Sequence, residues 1–419
     1  MPFERFKLQN NADVFLVPLK DNQSTTVLIM LPVGSRYETK KLSGAAHFIE
    51  HLLFKGTKKR PSTLILTREI DRLGADYNAF TSKECTGYYI KVDKHYAEVS
   101  LDILSDMLFG SLFVSREMEK EKKVIVEELR MYHDNPLMRI GDVFGELMYQ
   151  NCPLGWHEGG TEKTVAGLTR DNVLSFRDRN YQPANMTIVA AGGVDGKFKN
   201  LLEKYFGERP SRNVETSKYA PAKFGPRDKK SRVRVESKKT DQAQLMLGFP
   251  AFHYNDPDNP ALAVLHTVLG GSMSSRLFIK IRERLGLAYM VKSDADFFRD
   301  TGYFSVRAGL EAKNINKVLS IVKNEAEKVV EKGVTARELK DAKTHLRGGL
   351  ILSLENSSAL AEWYAFEAMF KDKIKTPEER LNQIDAVSNE DIKRAAKRIF
   401  DFNEMRVAVV GEASGGIIF

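Results

Sequence analysis

Thr86-Gly87-Tyr88-Tyr89 and Thr301-Gly302-Tyr303-Phe304 are near copies of one tetrapeptide, 215 residues apart, and His51 and His266 keep the same offset. Further along, Thr169, Asp171, Val173 and Tyr181 match Ser388, Glu390, Ile392 and Phe400 at an offset of 219. The runs 186–190 and 405–409 share that second offset, and each leads to a glycine, Gly192 or Gly411. Two registers in the same order point to a duplicated chain. Each half mixes strands in hairpin order with long helices. The expected fold class is therefore α+β, two homologous domains in tandem, each a mostly antiparallel sheet packed with long helices.

The elements follow from local pattern. Residues 14–17, 25–31, 77–81, 86–92 and 186–191 are rich in β-branched, aromatic and other apolar side chains, so they read as strands. Helical spacing of apolar positions predicts helices over 45–54, 63–73, 96–109, 115–132 and 169–180, the last with Thr169 as N-cap. A chain of 419 residues exceeds the usual size of one core. The first domain is expected over 1–207 and the second over 231–419. Between them 208–230 reads as a linker, because Pro210, Pro221, Gly225 and Pro226 stand among charges there.

Composition excludes several classes. The chain is 42% hydrophobic and 29% charged, that of an ordinary globular protein. Its formal charge of +8 is scattered through mixed-sign segments, and the densest basic run, 227–234, reads as solvated linker. No nucleic-acid binding is expected. Cys85 and Cys152 are too few for a disulfide framework, which favours a reducing, cytoplasmic setting. No apolar run has signal-peptide or membrane-spanning length, so no membrane insertion is expected.

Chemistry concentrates in His47-Phe48-Ile49-Glu50-His51. On a helix the two histidines share a face and Glu50 stands beside them, a pattern suited to metal-assisted hydrolysis if a third ligand exists. The helix over 115–132 supplies candidates. Glu121 and Glu128 are seven apart and share a face, but Glu117, Glu119 and Glu127 are also available, and spacing alone does not choose. In the second half, Leu262 and Leu265 stand where His47 and Glu50 stand in the first. The metal set therefore belongs to one half only.

With these residues the chain resembles the insulinase-like (pitrilysin, M16) zinc metallopeptidases. These inverzincins place a glutamate about 76 residues beyond the second histidine and another seven before it. Within that family the mitochondrial-processing-peptidase-like branch is the nearest in form. The resemblance implies one Zn2+ per chain held by His47, His51 and Glu128, with Glu121 behind a ligand. It also implies that Glu50 is the general base that takes a proton from water. Asn78, Ala79, Phe80 and Thr81 would hold an extended peptide by backbone pairing. In Ile281-Arg282-Glu283-Arg284-Leu285-Gly286-Leu287-Ala288-Tyr289, Arg282 and Tyr289 would clamp the substrate and steady the developing oxyanion. Arg284 could be mistaken for Arg282, but the seven-residue spacing favours the latter.

Family members of this length pair as clamshells whose clamp comes from the partner chain. The resemblance thus implies a homodimeric zinc endopeptidase that encloses unfolded peptides. The competing expectation is a non-catalytic assembly or peptide-binding subunit, like the respiratory-complex core proteins of this fold, although those typically carry broken metal motifs. The glycine- and serine-rich run 269–278 lacks the Gly-Lys-Ser/Thr ending of a phosphate loop and reads as a turn between helices.

Overall fold

The computed structural model describes residues 3–212, 217–226, 228–412 and 416–418. Eleven strands form two sheets among these residues. The first contains β1 (Glu4–Lys7), β2 (Asp13–Pro18), β3 (Ser24–Leu31), β4 (Asp76–Thr81), β5 (Thr86–Asp93) and β6 (Thr187–Gly192), in the order β1-β2-β6-β3-β5-β4. The second contains β7 (Val233–Glu236), β8 (Ala243–Ala251), β9 (Ala288–Phe297), β10 (Gly302–Leu310) and β11 (Arg406–Val410), in the order β7-β11-β8-β10-β9. Only β2–β6 and β7–β11 are parallel. The central strands are buried on both faces, which explains why β3 and β6 read as continuous apolar runs. Among the described residues no helix is long and apolar enough to cross a membrane.

The chain packs as two compact units, and neither is continuous in sequence. The first comprises Met1–Arg130, Trp156–Ala220 and Ser353–Ile374; the second comprises Met131–Gly155, Pro221–Leu352 and Lys375–Phe419. The helix Ser357–Phe370 lies on β3 and β6 of the first unit. There Tyr364, fully buried, packs against Phe3 and Phe15, and the Thr26 and Ser357 hydroxyls are 2.8 Å apart. The helix Pro136–Met148 lies on β8 and β11 of the second unit, with Ile140, Val143, Phe144 and Leu147 in one cluster with Met246, Ala408 and Val410. Each sheet is thus covered on one face by a helix from the other half of the sequence. A single cut at 208–230 does not separate the packed units.

The expected linker is partly docked. The Arg36 guanidinium donates to the Ala220 carbonyl at 3.0 Å and sits over the Tyr219 ring, while Gly225 N–H donates to the Met148 carbonyl. Residues 213–216 and 227, which fall in the linker and the basic run, lie outside the described residues.

The match at the offset of 219 is structural, and the tetrapeptide match at 215 is one residue out of register. Thr169 and Ser388 both cap helices, each accepting a backbone N–H three residues on at 3.2 Å. Gly192 and Gly411 both end a strand with positive φ, +112° and +136°. At Gly192 a Cβ would fall 2.2 Å from the Ser24 carbonyl oxygen, so only glycine fits. The tetrapeptides, by contrast, are out of register. Tyr88 faces the helices and its hydroxyl meets that of Tyr181 at 3.0 Å. In the second unit Phe304, not Tyr303, meets Phe400 at 5.6 Å between ring centres, while Tyr303 packs on the opposite face against Phe144. A one-residue slip inverts a strand's faces, so the similarity at 215 is not a structural equivalence.

Because Tyr364 carries the Ser357–Phe370 helix into the first unit's core, Tyr364→Ala should cost about 3–5 kcal/mol of that unit's stability. Urea unfolding followed by circular dichroism checks this.

Candidate active site

The helix Ala45–Leu53 is anchored by its apolar face: Phe48, Ile49, Leu52 and Leu53 are buried. Its start has no side-chain cap of its own. Instead the Glu38 carboxylate, 5% exposed, accepts from Gly44 N–H at 2.8 Å and Ala46 N–H at 2.7 Å. Burial pushes the Glu38 carboxyl up to about 8, against the two N–H bonds, which favour its charged form. Gly44 has φ +95°, and a Cβ there would meet the Gly159 carbonyl oxygen at 2.6 Å. These contacts fix where the histidines emerge.

His47 and His51 stand one turn apart with Nε2 atoms 3.2 Å apart. Glu128, on the helix Ser115–Asp134, brings Oε2 to 3.8 Å from His47 Nε2 and 3.5 Å from His51 Nε2. Ligand atoms of these three residues all lie within 4.8 Å of one another, and they are the only such group among the described residues. The remaining glutamates of that helix are spoken for at the surface: Glu117 pairs with Lys120, Glu119 with Lys122 and Glu127 with Arg130. Packing thus makes the choice that spacing left open.

Glu121 is 4% exposed and stands behind the cluster. Its Oε1 is 2.8 Å from His51 Nδ1, and its Oε2 accepts from Lys55 Nζ at 2.7 Å. Burial alone would raise this carboxyl, but the hydrogen bonds from His51 and Lys55 hold it below its usual value. An ionised Glu121 assigns the His51 proton to Nδ1 and leaves the Nε2 lone pair facing His47 and Glu128. Burial, then the neighbouring His51 and His157, lowers His47 to about 4, so it is a neutral donor. Two imidazole lone pairs and a carboxylate converging without a cation repel one another. That donor set fits zinc, with two nitrogens and one oxygen.

Glu50 lies on the same helix beside both histidines. Its Oε2 accepts from the Thr81 hydroxyl at 2.5 Å. Burial raises the Glu50 carboxyl, and the Thr81 hydrogen bond opposes the shift. Thr81 ends β4, which pairs only with β5 among the described residues and leaves its other edge open. Asn78, Ala79 and Phe80 lie on that strand, and the Phe80 ring lies where a Cβ on residue 87 would be, which accounts for Gly87.

Arg282 and Tyr289 belong to the second unit. The Arg282 guanidinium carbon is 5.4 Å from the centre of the Tyr289 ring and 4.8 Å from that of Phe278, and Tyr289 is 74% exposed. His266, the offset partner of His51, is bonded through Nδ1 to the Ser293 hydroxyl at 2.8 Å and gathers no ligand set. Sequence reasoning missed three supports. Lys55 carried a signal, since it continues the four-residue spacing of His47 and His51. The Thr81 hydroxyl and Glu38 carried none, because both reach the helix from outside it.

The chain is similar to known proteins over nearly its whole length. Residues 14–161 match the family model described as Insulinase (Peptidase family M16), and residues 167–346 match Peptidase M16 inactive domain. A Bacillus subtilis protein described as an uncharacterized zinc protease is 34% identical over 397 residues, covering 95% of each chain. One from Streptomyces coelicolor, described likewise, is 36% identical and covers 94% of this chain and 86% of its own. The crystal structure of a protease from Helicobacter pylori superposes with a TM-score of 0.92 at 25% identity, covering 98% of this chain and 99% of that one. A Pseudomonas fluorescens structure described as a peptidase M16 inactive domain shares the fold, with a TM-score of 0.91 at 17% identity over the whole of both chains.

If Glu121 orients His51, Glu121→Ala should weaken zinc binding about 10–100-fold while the fold persists. Competition with a chromogenic chelator at fixed pH measures this.

Proposed function

We propose, from the premise that this chain belongs to the insulinase (M16) family of peptidases, that it is a zinc endopeptidase in which Glu50 is the general base. The observation that carries this reading is the convergence of His47, His51 and Glu128 beside a carboxylate that is not itself drawn into the cluster. A bound Zn2+, one per chain, would supply Lewis acidity toward a peptide carbonyl and toward water.

The protein's own residues then divide the work. His47, His51 and Glu128 hold the ion, and Glu121 keeps His51 in the required tautomer. Thr81 fixes one oxygen of Glu50 and leaves Oε1 to take a proton from water and later deliver it to the departing amine. Burial raises the affinity of Glu50 for that proton. The open edge of β4 offers backbone N–H and C=O groups to an extended peptide, so binding would depend on an unfolded substrate more than on its side chains.

Arg282 and Tyr289 complete the reading as donors toward the oxyanion, supplied by the second chain of a homodimeric clamshell that encloses unfolded peptides. The exposure of Tyr289 and its contact with the guanidinium support a preassembled pair. The non-catalytic alternative is disfavoured because every member of the metal set is present.

Glu50→Gln should retain about one zinc per chain and lose about 10²–10⁴-fold in peptide cleavage. Elemental analysis and a quenched-fluorescent oligopeptide assay read the two; cleavage at the wild-type rate would refute the mechanism. Mixing Glu50→Gln with Arg282→Ala chains tests the dimer. After subunit exchange about one quarter of the wild-type rate should return, since half the dimers are mixed and each mixed dimer has one intact site. No recovery despite verified exchange would assign the clamp to its own chain.

A further inference from the structure

The second unit has a cavity of about 460 Å3 beside its edge strand β9, within the size range of small-molecule pockets, about 300–1,000 Å3. Its wall includes Ser305 and Arg307 of β10 and Asp294 and Asp296 of β9. The register sets Ser305 beside Asp294 and Tyr303 beside Asp296, so donors and carboxylates stand in two adjacent rows on one face of the sheet at the cavity wall.

Two of the donors are idle. Ser305 is fully buried and its Oγ has no hydrogen-bond partner; Arg307 Nε is buried and has none either. The guanidinium reaches only the Met246 sulfur, 3.8 Å from Nη2, which is a weak acceptor. Among the described residues no carboxylate lies within ion-pair distance of Arg307. Of the nearby acids, Asp294 pairs with Lys292 at 3.0 Å, and Asp296, which burial raises, accepts from the Tyr303 hydroxyl and feels the Arg307 charge from beyond ion-pair distance. Buried donors are ordinarily satisfied, and an arginine fork without an oxygen partner beside a buried free hydroxyl is a place for a carboxylate.

The carboxylates on the adjacent strand restrict the occupant. They would repel a compact multivalent anion such as phosphate, and Arg307 would repel a simple cation. A ligand carrying both charges satisfies both rows. We infer that this cavity binds a short zwitterion, a free α-amino acid or a dipeptide, with its carboxylate on Arg307 Nε and Ser305 Oγ and its ammonium toward Asp294 and Asp296. No bond is made or broken there, and the inference stands whether or not the zinc cluster cuts peptides.

Calorimetric titration of the full-length, zinc-loaded protein tests this with leucine, with Ala-Leu, and with N-acetyl-Ala-Leu-amide. Leucine or Ala-Leu should bind, and the doubly blocked peptide should bind at least about tenfold more weakly. Arg307→Met should weaken the successful ligand at least about tenfold, and Ser305→Ala, which keeps the charge and the fold, several-fold. Binding should survive in Glu128→Gln protein, which separates it from the metal cluster. The inference is overturned if neither ligand binds at millimolar concentration, if both variants bind as the wild type does, if Glu128→Gln abolishes binding, or if inorganic phosphate displaces the bound ligand.

Discussion

The contact between His51 Nδ1 and Glu121 holds the candidate site together. Without it the imidazole could present either nitrogen to His47, and an Nε2 proton would occupy the point where the three ligand atoms converge. Glu121 can do this only if it stays ionised while 4% exposed, an arrangement that burial opposes. Lys55, 2.7 Å away on its other oxygen, supplies the compensating charge. His47, His51 and Lys55 follow one another at four-residue intervals, so one face of a short segment carries two metal donors and the counter-ion of their support. A bidentate sharing of one carboxylate between a histidine and a lysine also ties the helix Ser115–Asp134 to the histidine helix, and with it brings Glu128 into reach.

Much of this was legible in the sequence, for reasons that differ by element. Strands buried on both faces leave continuous apolar runs, helices with an apolar stripe leave a periodic record, and the N-caps Thr169 and Ser388 leave a positional one. The His-x-x-Glu-His pattern is legible because its members share one helical turn. Choosing Glu128 among five glutamates was not, since the choice depends on which side of that helix meets the histidines; only the family resemblance anticipated it. Glu38 was invisible because a carboxylate arriving from an irregular segment leaves no spacing to read. Lys55 could have been found, had the four-residue interval been continued past the end of the helix.

The repeat teaches a narrower lesson. Tetrapeptides with glycine and aromatic residues recur easily on sheets, and a match of side-chain type says nothing about which face it lies on. Tyr88 and Tyr303 look equivalent and point in opposite directions. The pair Gly192 and Gly411 is better evidence of common descent, because each is required by a positive φ at the end of a strand against which a neighbouring backbone closes. Interleaving of the units has a similar cause. Each sheet has two faces to cover, and a helix taken from the distant half covers the second face of each, so a boundary drawn where the composition turns irregular does not coincide with a boundary in packing.

The order of residues in the motif explains why Glu50 stands apart from the cluster of His47, His51 and Glu128. At about 100° per residue, His47 and His51 are separated by about 40° around the helix, close enough for both to aim at one point. Glu50 stands about 60° from His47 and about 100° from His51, on the far side of His47 from its partner. It therefore flanks the metal axis without lying on it, and the Thr81 hydroxyl at the end of β4 holds it there. That contact turns the carboxylate toward β4 rather than toward Glu128. Glu128 reaches the same point from the helix Ser115–Asp134, on which its Oε2 lies 3.5 Å from His51 Nε2 and 3.8 Å from His47 Nε2.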